Sequence, residues 1–219
     1  MFAGELISDN IPFLHLADSA GKALQEMTDF HVSHLPVVEN DKYLGLISEE
    51  DLLDADENCS MNALKASFST TFVRQRDFFL MAVKKAKDLH LSVVPVVTDQ
   101  YHFLGVISKE DLFRQLAVFT GIDEQGGIIV LEMEKKDFSA GEINRLVESN
   151  GAYVTQINSY LDIPSQILTV TIRINKSEVS DIVATLQRHE YVIKHYFGEE
   201  LYQNELQTNY DHLMNYLNI

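Results

Sequence analysis

GLISEEDL at Gly45–Leu52 and GVISKEDL at Gly105–Leu112 are two copies of one short pattern. Each reads as the end of an apolar strand, a Ser at a helix N-cap and an Asp at the third helical position. Ser48 with Asp51, and Ser108 with Asp111, therefore share the first turn of a helix. Unpaired N–H groups and the positive end of the helix dipole converge there, so a Ser hydroxyl at such a start can hold a phosphate. The carboxylate one turn on can accept from two vicinal hydroxyls, and a phosphate beside a diol describes a ribonucleotide. The same spacing is also a capping box, which needs no ligand.

The copies extend upstream. LPVVENDKYL (Leu35–Leu44) matches VPVVTDQYHFL (Val94–Leu104), so Pro36 aligns with Pro95 and Gly45 with Gly105 after a one-residue insertion in the second turn. A repeat of this length is an architectural feature, to be read before any lone motif. IPFLHL (Ile11–Leu16) predicts a strand, and Asp18 with Ser19 starts a helix facing inward through Ala20, Leu24 and Met27. HLPVVE and YLGLIS follow as strands across the polar turn at Asn40, Asp41 and Lys42. In the second copy TFVRQ is the strand, Asp77 the cap, and Phe79, Val83 and Ala86 the inner helix face. The order strand, helix, strand, strand, helix is thus written twice. Between the copies Asp54–Ser60 is polar, and MNALKASF predicts a short helix. Pro36 and Pro95 each lack a ladder donor and belong at a strand start or an edge.

At these residues the chain resembles the CBS-domain family: an apolar pair around Pro, Val-Val, a polar turn, Gly, two apolar residues, Ser, two variable residues and Asp. The resemblance implies that residues 1–57 and 58–119 are two CBS repeats packed into one module with two clefts for adenosine compounds. Ser48, Asp51, Ser108 and Asp111 would be the phosphate and ribose contacts. The backbone just before each Pro would meet the adenine, which marks Ser33, His34 and Leu35 in one repeat and Ser92, Val93 and Val94 in the other. The clefts differ in charge: Ser48 precedes Glu49 and Glu50, whereas Ser108 precedes Lys109 and Glu110. The Ser108 cleft is therefore expected to take an adenine nucleotide (AMP, ADP or ATP) more tightly. The first cleft would suit a less anionic compound such as S-adenosylmethionine, or stay empty.

After Phe119 the pattern changes. TGIDEQGG opens a linker over residues 120–126, and residues 127–198 read strand, helix, strand, strand, helix, strand, with Ile143, Leu146 and Val147, then Val179, Ile182, Val183 and Leu186, as inner helix faces. This βαββαβ order is that of ferredoxin-like folds, an antiparallel sheet with two helices on one face. With GAYVTQINSY at its second strand the region resembles an ACT domain, a family that often binds amino acids and dimerises. The Gly-bearing ligand loop of that family is replaced here by EKKDFSAGE (Glu134–Glu142), which favours dimerisation over ligand binding. Residues 199–219 space Leu206, Leu213 and Leu217 with Tyr202, Tyr210 and Tyr216 as a helical tail, packed on this chain or on a partner. The overall expectation is mixed α/β and α+β, in a layout that resembles acetoin-utilisation proteins of the AcuB type.

Composition narrows the function. With 46% hydrophobic and 23% charged residues the chain is of ordinary globular make-up. A net charge of −16 with scattered basic residues argues against nucleic acid. No apolar run approaches the ~18 residues of a membrane span, and no signal peptide is legible. The single cysteine, Cys59, excludes an internal disulfide, and a cytoplasmic setting fits. Eight histidines form no metal signature, with His31 and His34 reading as packing residues, and no nucleophile elbow, Walker loop or Rossmann fingerprint occurs. The expectation is a non-catalytic sensor of an adenosine ligand that acts on a homodimer or a regulated partner. The competing expectation is a ligand-free scaffold whose Ser and Asp pairs only cap helices.

Overall fold

A computed structural model describes residues 1–8 and 10–198. The proposed helical tail at 199–219 lies outside the described residues. The chain divides into two compact units, Met1–Phe119 and one beginning at Thr120.

The first unit carries the repeat. Its first copy has α1 (Ala20–Asp29), β1 (His34–Glu39), β2 (Lys42–Ser48) and α2 (Glu49–Leu53). The second has β3 (Val73–Arg74), α3 (Leu80–Asp88), β4 (Val93–Val97), β5 (Phe103–Ser108) and α4 (Lys109–Phe119). β1 and β2 pair antiparallel across Asn40 and Asp41, both at positive φ, which is the two-residue type I′ hairpin that the right-handed strand twist favours. One bulge recurs in both copies, with Leu44 and Leu104 as the extra residue. Leu35, Val37, Val93, Val94, Val96 and Ile107 are fully buried, so these strands are apolar on both faces because both faces are covered.

Each prolyl residue sits where its missing N–H costs little. Pro36 opposes Leu46, whose own N–H turns away to Ser69 O at 2.7 Å, while Pro36 O accepts from Leu14 N–H at 2.8 Å. Pro95 lies inside the central strand of the order β3-β4-β5 rather than at a start or an edge, and β3 begins to pair only at Val96. The strand expected over Ile11–Leu16 shrinks to one parallel bridge, Leu14 with Val37. The helix expected at MNALKASF is a single 3-10 turn, Lys65–Ser67. Asp77 does not cap α3. Its carboxylate accepts from Arg74 N–H at 2.8 Å and closes the preceding turn instead. Ser19 does cap α1, accepting from Lys22 N–H, with Ala20, Ala23 and Met27 buried and Leu24 partly so.

The segment leading into each repeat crosses to the other one. Residues 3–8 lie along the second copy, with Ala3 N–H to Asp77 O, Gly4 N–H to Gln75 O and Ser8 N–H to Val106 O, at 2.8 to 2.9 Å. Residues 59–69 repeat this on the first copy, with Met61 N–H to Asp18 O, Asn62 N–H to Leu16 O and Ser69 N–H to Leu46 O. The exchange explains the paired glycines. A Cβ on Gly45 would lie 2.6 Å from Phe68 Cβ, and one on Gly105 would lie 2.5 Å from Ile7 Cγ2. Gly105 also has φ of +147°, a conformation that side chains resist.

In the second unit β6 (Ile128–Glu134), α5 (Ala140–Glu148), β7 (Val154–Leu161), β8 (Ile167–Ile174), α6 (Ser180–Arg188) and β9 (Val192–Phe197) form the βαββαβ order. The sheet runs β7-β8-β6-β9 and is antiparallel throughout, the ferredoxin-like arrangement. Ile129, Leu131, Val170 and Ile172 of the sheet bury against Ile143, Leu146 and Val147 of α5 and Ile182, Val183 and Leu186 of α6. These helix residues recur at the three- and four-residue spacing that puts them on one stripe. A Cβ on Gly141 would meet open space, so no close backbone approach requires glycine there.

Candidate functional site

A hollow of about 710 Å³ opens over the second repeat, within the ~300–1,000 Å³ typical of small-molecule sites. One wall is α4 from its cap, with Ser108, Lys109, Asp111, Arg114, Gln115 and Val118. The other walls come from the exchanged leading segment, including Ser8, and from Phe30–Val32 at the end of α1, with Ser92 also on the lining. Sequence-distant segments thus close one site within a single compact unit.

Asp111 is its centre. Ser8 Oγ donates to Asp111 Oδ2, Ser108 Oγ donates to the same oxygen at 2.7 Å, and Arg114 Nη1 reaches Oδ1 at 2.6 Å. Asp111 N–H in turn donates to Ser108 Oγ at 3.0 Å, which completes the cap. The Ser8 hydroxyl, then Ser108 and Arg114, outweigh partial burial and hold the Asp111 carboxyl below the usual carboxylate range. Its lowered folded value means that this stabilisation is present above the unfolded value of 3.8 and is lost as pH falls through the folded one. Ser8→Ala removes the largest of those donors. The Asp111 titration midpoint, followed by carboxyl NMR, is expected to rise toward 3.8, and a midpoint unchanged from wild type would overturn that assignment.

The first copy is built differently. Ser48 Oγ donates to Asp51 Oδ2, and Asp51 N–H donates to Ser48 Oγ at 3.2 Å, so this cap is also closed. Ser69, which occupies the place of Ser8, pairs with Thr71 Oγ1 at 3.1 Å instead of reaching the carboxylate. α2 has five residues against eleven in α4, and Glu49 stands where Lys109 does, their N–H groups donating to Ser33 O and Ser92 O at 2.9 and 2.8 Å. Phosphate attraction at a helix start comes from aligned peptide dipoles, and a five-residue helix aligns few of them.

Of the residues marked from the sequence, Ser92, Ser108, Lys109 and Asp111 come together on the one hollow. Val93, Val94 and Leu35 are fully buried in β4 and β1, so their side chains belong to the core and only their backbone could serve a ligand. Ser33 and His34 join Ser92 in a bridge between the repeats: Ser33 N–H donates to Ser92 Oγ at 3.0 Å, and Ser92 N–H to His34 Nδ1 at 3.4 Å. Burial pushes the His34 imidazole below its ordinary value, against the opposing pull of Asp51 and Glu49. Ser8, Arg114 and Gln115 were not singled out from sequence. For Ser8 a signal did exist, since LIS at Leu6–Ser8 and SFS at Ser67–Ser69 precede their repeats equivalently. Among the described residues no group of three His, Cys, Asp or Glu is placed to hold a metal, and no helix is long and apolar enough to cross a membrane.

The CBS domain family model matches residues 3–58 and 72–118. A homoserine O-acetyltransferase of Methanobrevibacter ruminantium is 26% identical over 117 residues, 52% of this chain and 24% of that protein. An arabinose 5-phosphate isomerase of Francisella tularensis is 24% identical over 111 residues, 48% of this chain and 34% of that protein. The chain thus spans a quarter to a third of the length of these curated relatives. A solved CBS domain pair/ACT domain protein of Thermotoga maritima is 20% identical, with a TM-score of 0.49 over 54% of this chain and 98% of that one. The duplicated Gly, Ser and Asp pattern, the exchanged leading segments and the family match over both copies agree: residues 3–58 and 72–118 are two CBS domains in tandem.

Proposed function

We propose that the protein is a non-catalytic regulator that binds an adenosine-containing ligand of the AMP, ADP or ATP class in the hollow over its second CBS repeat. The observation that carries this reading is the convergence of Ser8, Ser108 and Asp111 at the start of an eleven-residue helix, beside Lys109 and Arg114. Ser108 with the helix start serves the phosphate, Asp111 the ribose diol, and Lys109 offsets phosphate charge by about 1 kcal/mol at a wet site. The two curated relatives are named for unrelated reactions, an acetyl transfer and a sugar-phosphate isomerisation, and the chain matches only 24% and 34% of their lengths, which supports regulation over catalysis.

Ligand binding changes a protein's behaviour only when one arrangement binds more tightly than another. The second unit offers the means of passing that change to a homodimer or a regulated partner. It has the ferredoxin-like order of ACT domains, no glycine-dependent ligand loop at Gly141, and exposed apolar side chains at Tyr160, Ile163, Val192 and Phe197. A ligand-free scaffold is the second reading, favoured by the fact that both Ser and Asp pairs are engaged in closing helix caps. A thermal-shift series with AMP, ADP, ATP and S-adenosylmethionine separates the two. At a hundred times its dissociation constant a ligand stabilises by about 2.7 kcal/mol, which moves the melting temperature by several degrees. A flat series across all four compounds removes the sensor and leaves the scaffold.

A further inference from the structure

A carboxylate has about four acceptor positions, and on Asp111 three are taken: Oδ2 receives the Ser8 and Ser108 hydroxyls, and Oδ1 receives Arg114 Nη1 at 2.6 Å. A vicinal diol brings two donors more. Five donors do not fit about four positions, so a ribose is received in full only where one of the three withdraws.

The two hydroxyls are held from behind. Ser8 Oγ also accepts from Ser108 N–H at 2.9 Å, Ser8 N–H donates to Val106 O at 2.8 Å, and Ser108 Oγ accepts from Asp111 N–H at 3.0 Å. Arg114 stands differently: its side chain is 73% exposed on the lining of the hollow, in an i,i+3 ion pair of a kind that adds little to stability. Arg114 is therefore the donor that withdraws.

Where the withdrawn guanidinium goes depends on the ligand. Long helical side chains lean toward the helix N-terminus, and Arg114 reaches back one turn to Asp111. The Ser108 cap and Lys109 lie further in that same direction, where a phosphate belongs. A phosphorylated ligand thus gives the guanidinium a new anion in place of Asp111, one that its planar fork meets with two parallel bonds. A bare nucleoside takes the carboxylate and offers nothing in return.

We propose that Arg114 is a specificity-determining residue that competes with a ribose diol for Asp111 and is compensated only by a ligand phosphate, so that the hollow accepts nucleotides and disfavours the uncharged nucleoside. This rests on the adenosine reading of the same hollow and adds to it a penalty on the nucleoside, which Lys109 and the helix start do not supply.

The test is calorimetry on the full chain and on Arg114→Met, which keeps the length and helix preference and loses every donor, with adenosine and with AMP. The two ligands are expected to move in opposite senses: the variant binds adenosine about threefold more tightly and AMP about tenfold more weakly, so the preference for AMP narrows about thirtyfold. Lys109 and the helix start are the same in both proteins, so the difference belongs to Arg114. Parallel losses for both ligands overturn the proposal in favour of a structural role. Weaker AMP binding with unchanged adenosine binding leaves a phosphate contact and overturns the competition for Asp111. Unchanged affinities for both overturn the role of Arg114 while the adenosine reading stands. Binding of neither ligand by wild type removes the adenosine reading and this inference with it. Should Arg114→Met melt early, Arg114→Lys, which keeps the charge and loses the fork, is put through the same titrations, where a smaller crossing of the same sense is expected and a parallel change overturns the proposal.

Discussion

Asp111→Ala is expected to weaken AMP binding about a hundredfold, whereas Asp51→Ala changes it less than about threefold. Both carboxylates occupy the third position of a helix behind a Ser cap, so the motif alone predicts equal losses. The surroundings separate them. Asp111 gathers Ser8, Ser108 and Arg114 and faces a hollow large enough for a nucleotide at the start of an eleven-residue helix. Asp51 stands on a five-residue helix with Glu49 and Glu50 beside it, and Ser69, in the place of Ser8, is turned to Thr71. Two hydrogen bonds from a ribose diol to a carboxylate are worth about 1.5 kcal/mol each, which is about 3 kcal/mol or two decades in affinity. Isothermal titration of the two variants measures this directly. Equal losses would show that both clefts take the nucleotide alike, and the electrostatic argument built on Lys109 and α4 would fall.

The second large effect is on folding. Gly105→Ala is expected to lower the melting temperature of the first unit by about 10 °C or more, and to weaken AMP binding even where the protein is still folded. The new methyl would stand 2.5 Å from Ile7 Cγ2, on a backbone at φ of +147°. Overpacking and strained backbone each cost about 1–3 kcal/mol, so a sum near 3 kcal/mol is the central expectation. Ile7 cannot yield without carrying Ser8 with it, and Ser8 holds both Val106 O and Asp111. The double variant Gly105→Ala with Ile7→Ala should recover part of the stability, because the clash is between those two residues. A double variant that simply adds the two losses would mean that the backbone conformation of Gly105, and not its contact with Ile7, sets the cost.

These two expectations rest on different depths of reading. The order of elements was legible because hydrophobic period and caps are local. Ile143, Leu146 and Val147 bury as their spacing demands, and Asn40 with Asp41 turns the first hairpin. Locality also explains the misreadings. IPFLHL has strand composition, yet a strand needs a neighbour along its length, and only Leu14 finds one. Asp77 has the right identity for a cap, but its carboxylate meets Arg74 N–H first.

By itself the sequence established the duplication, the two Ser and Asp pairs with their different neighbours, and the βαββαβ order of the second unit, because each is written in residues close together along the chain. Tertiary structure alone decided that Ser8 would meet Asp111 across a separation of 103 residues and that the leading segments would be exchanged. Such contacts depend on how two packed repeats close over one another, and that closure leaves no periodic trace in either partner. Glycine is the partial exception. Gly45 and Gly105 record in the sequence that something must pass close over β2 and β5, and the fold shows that it is the segment of the opposite repeat.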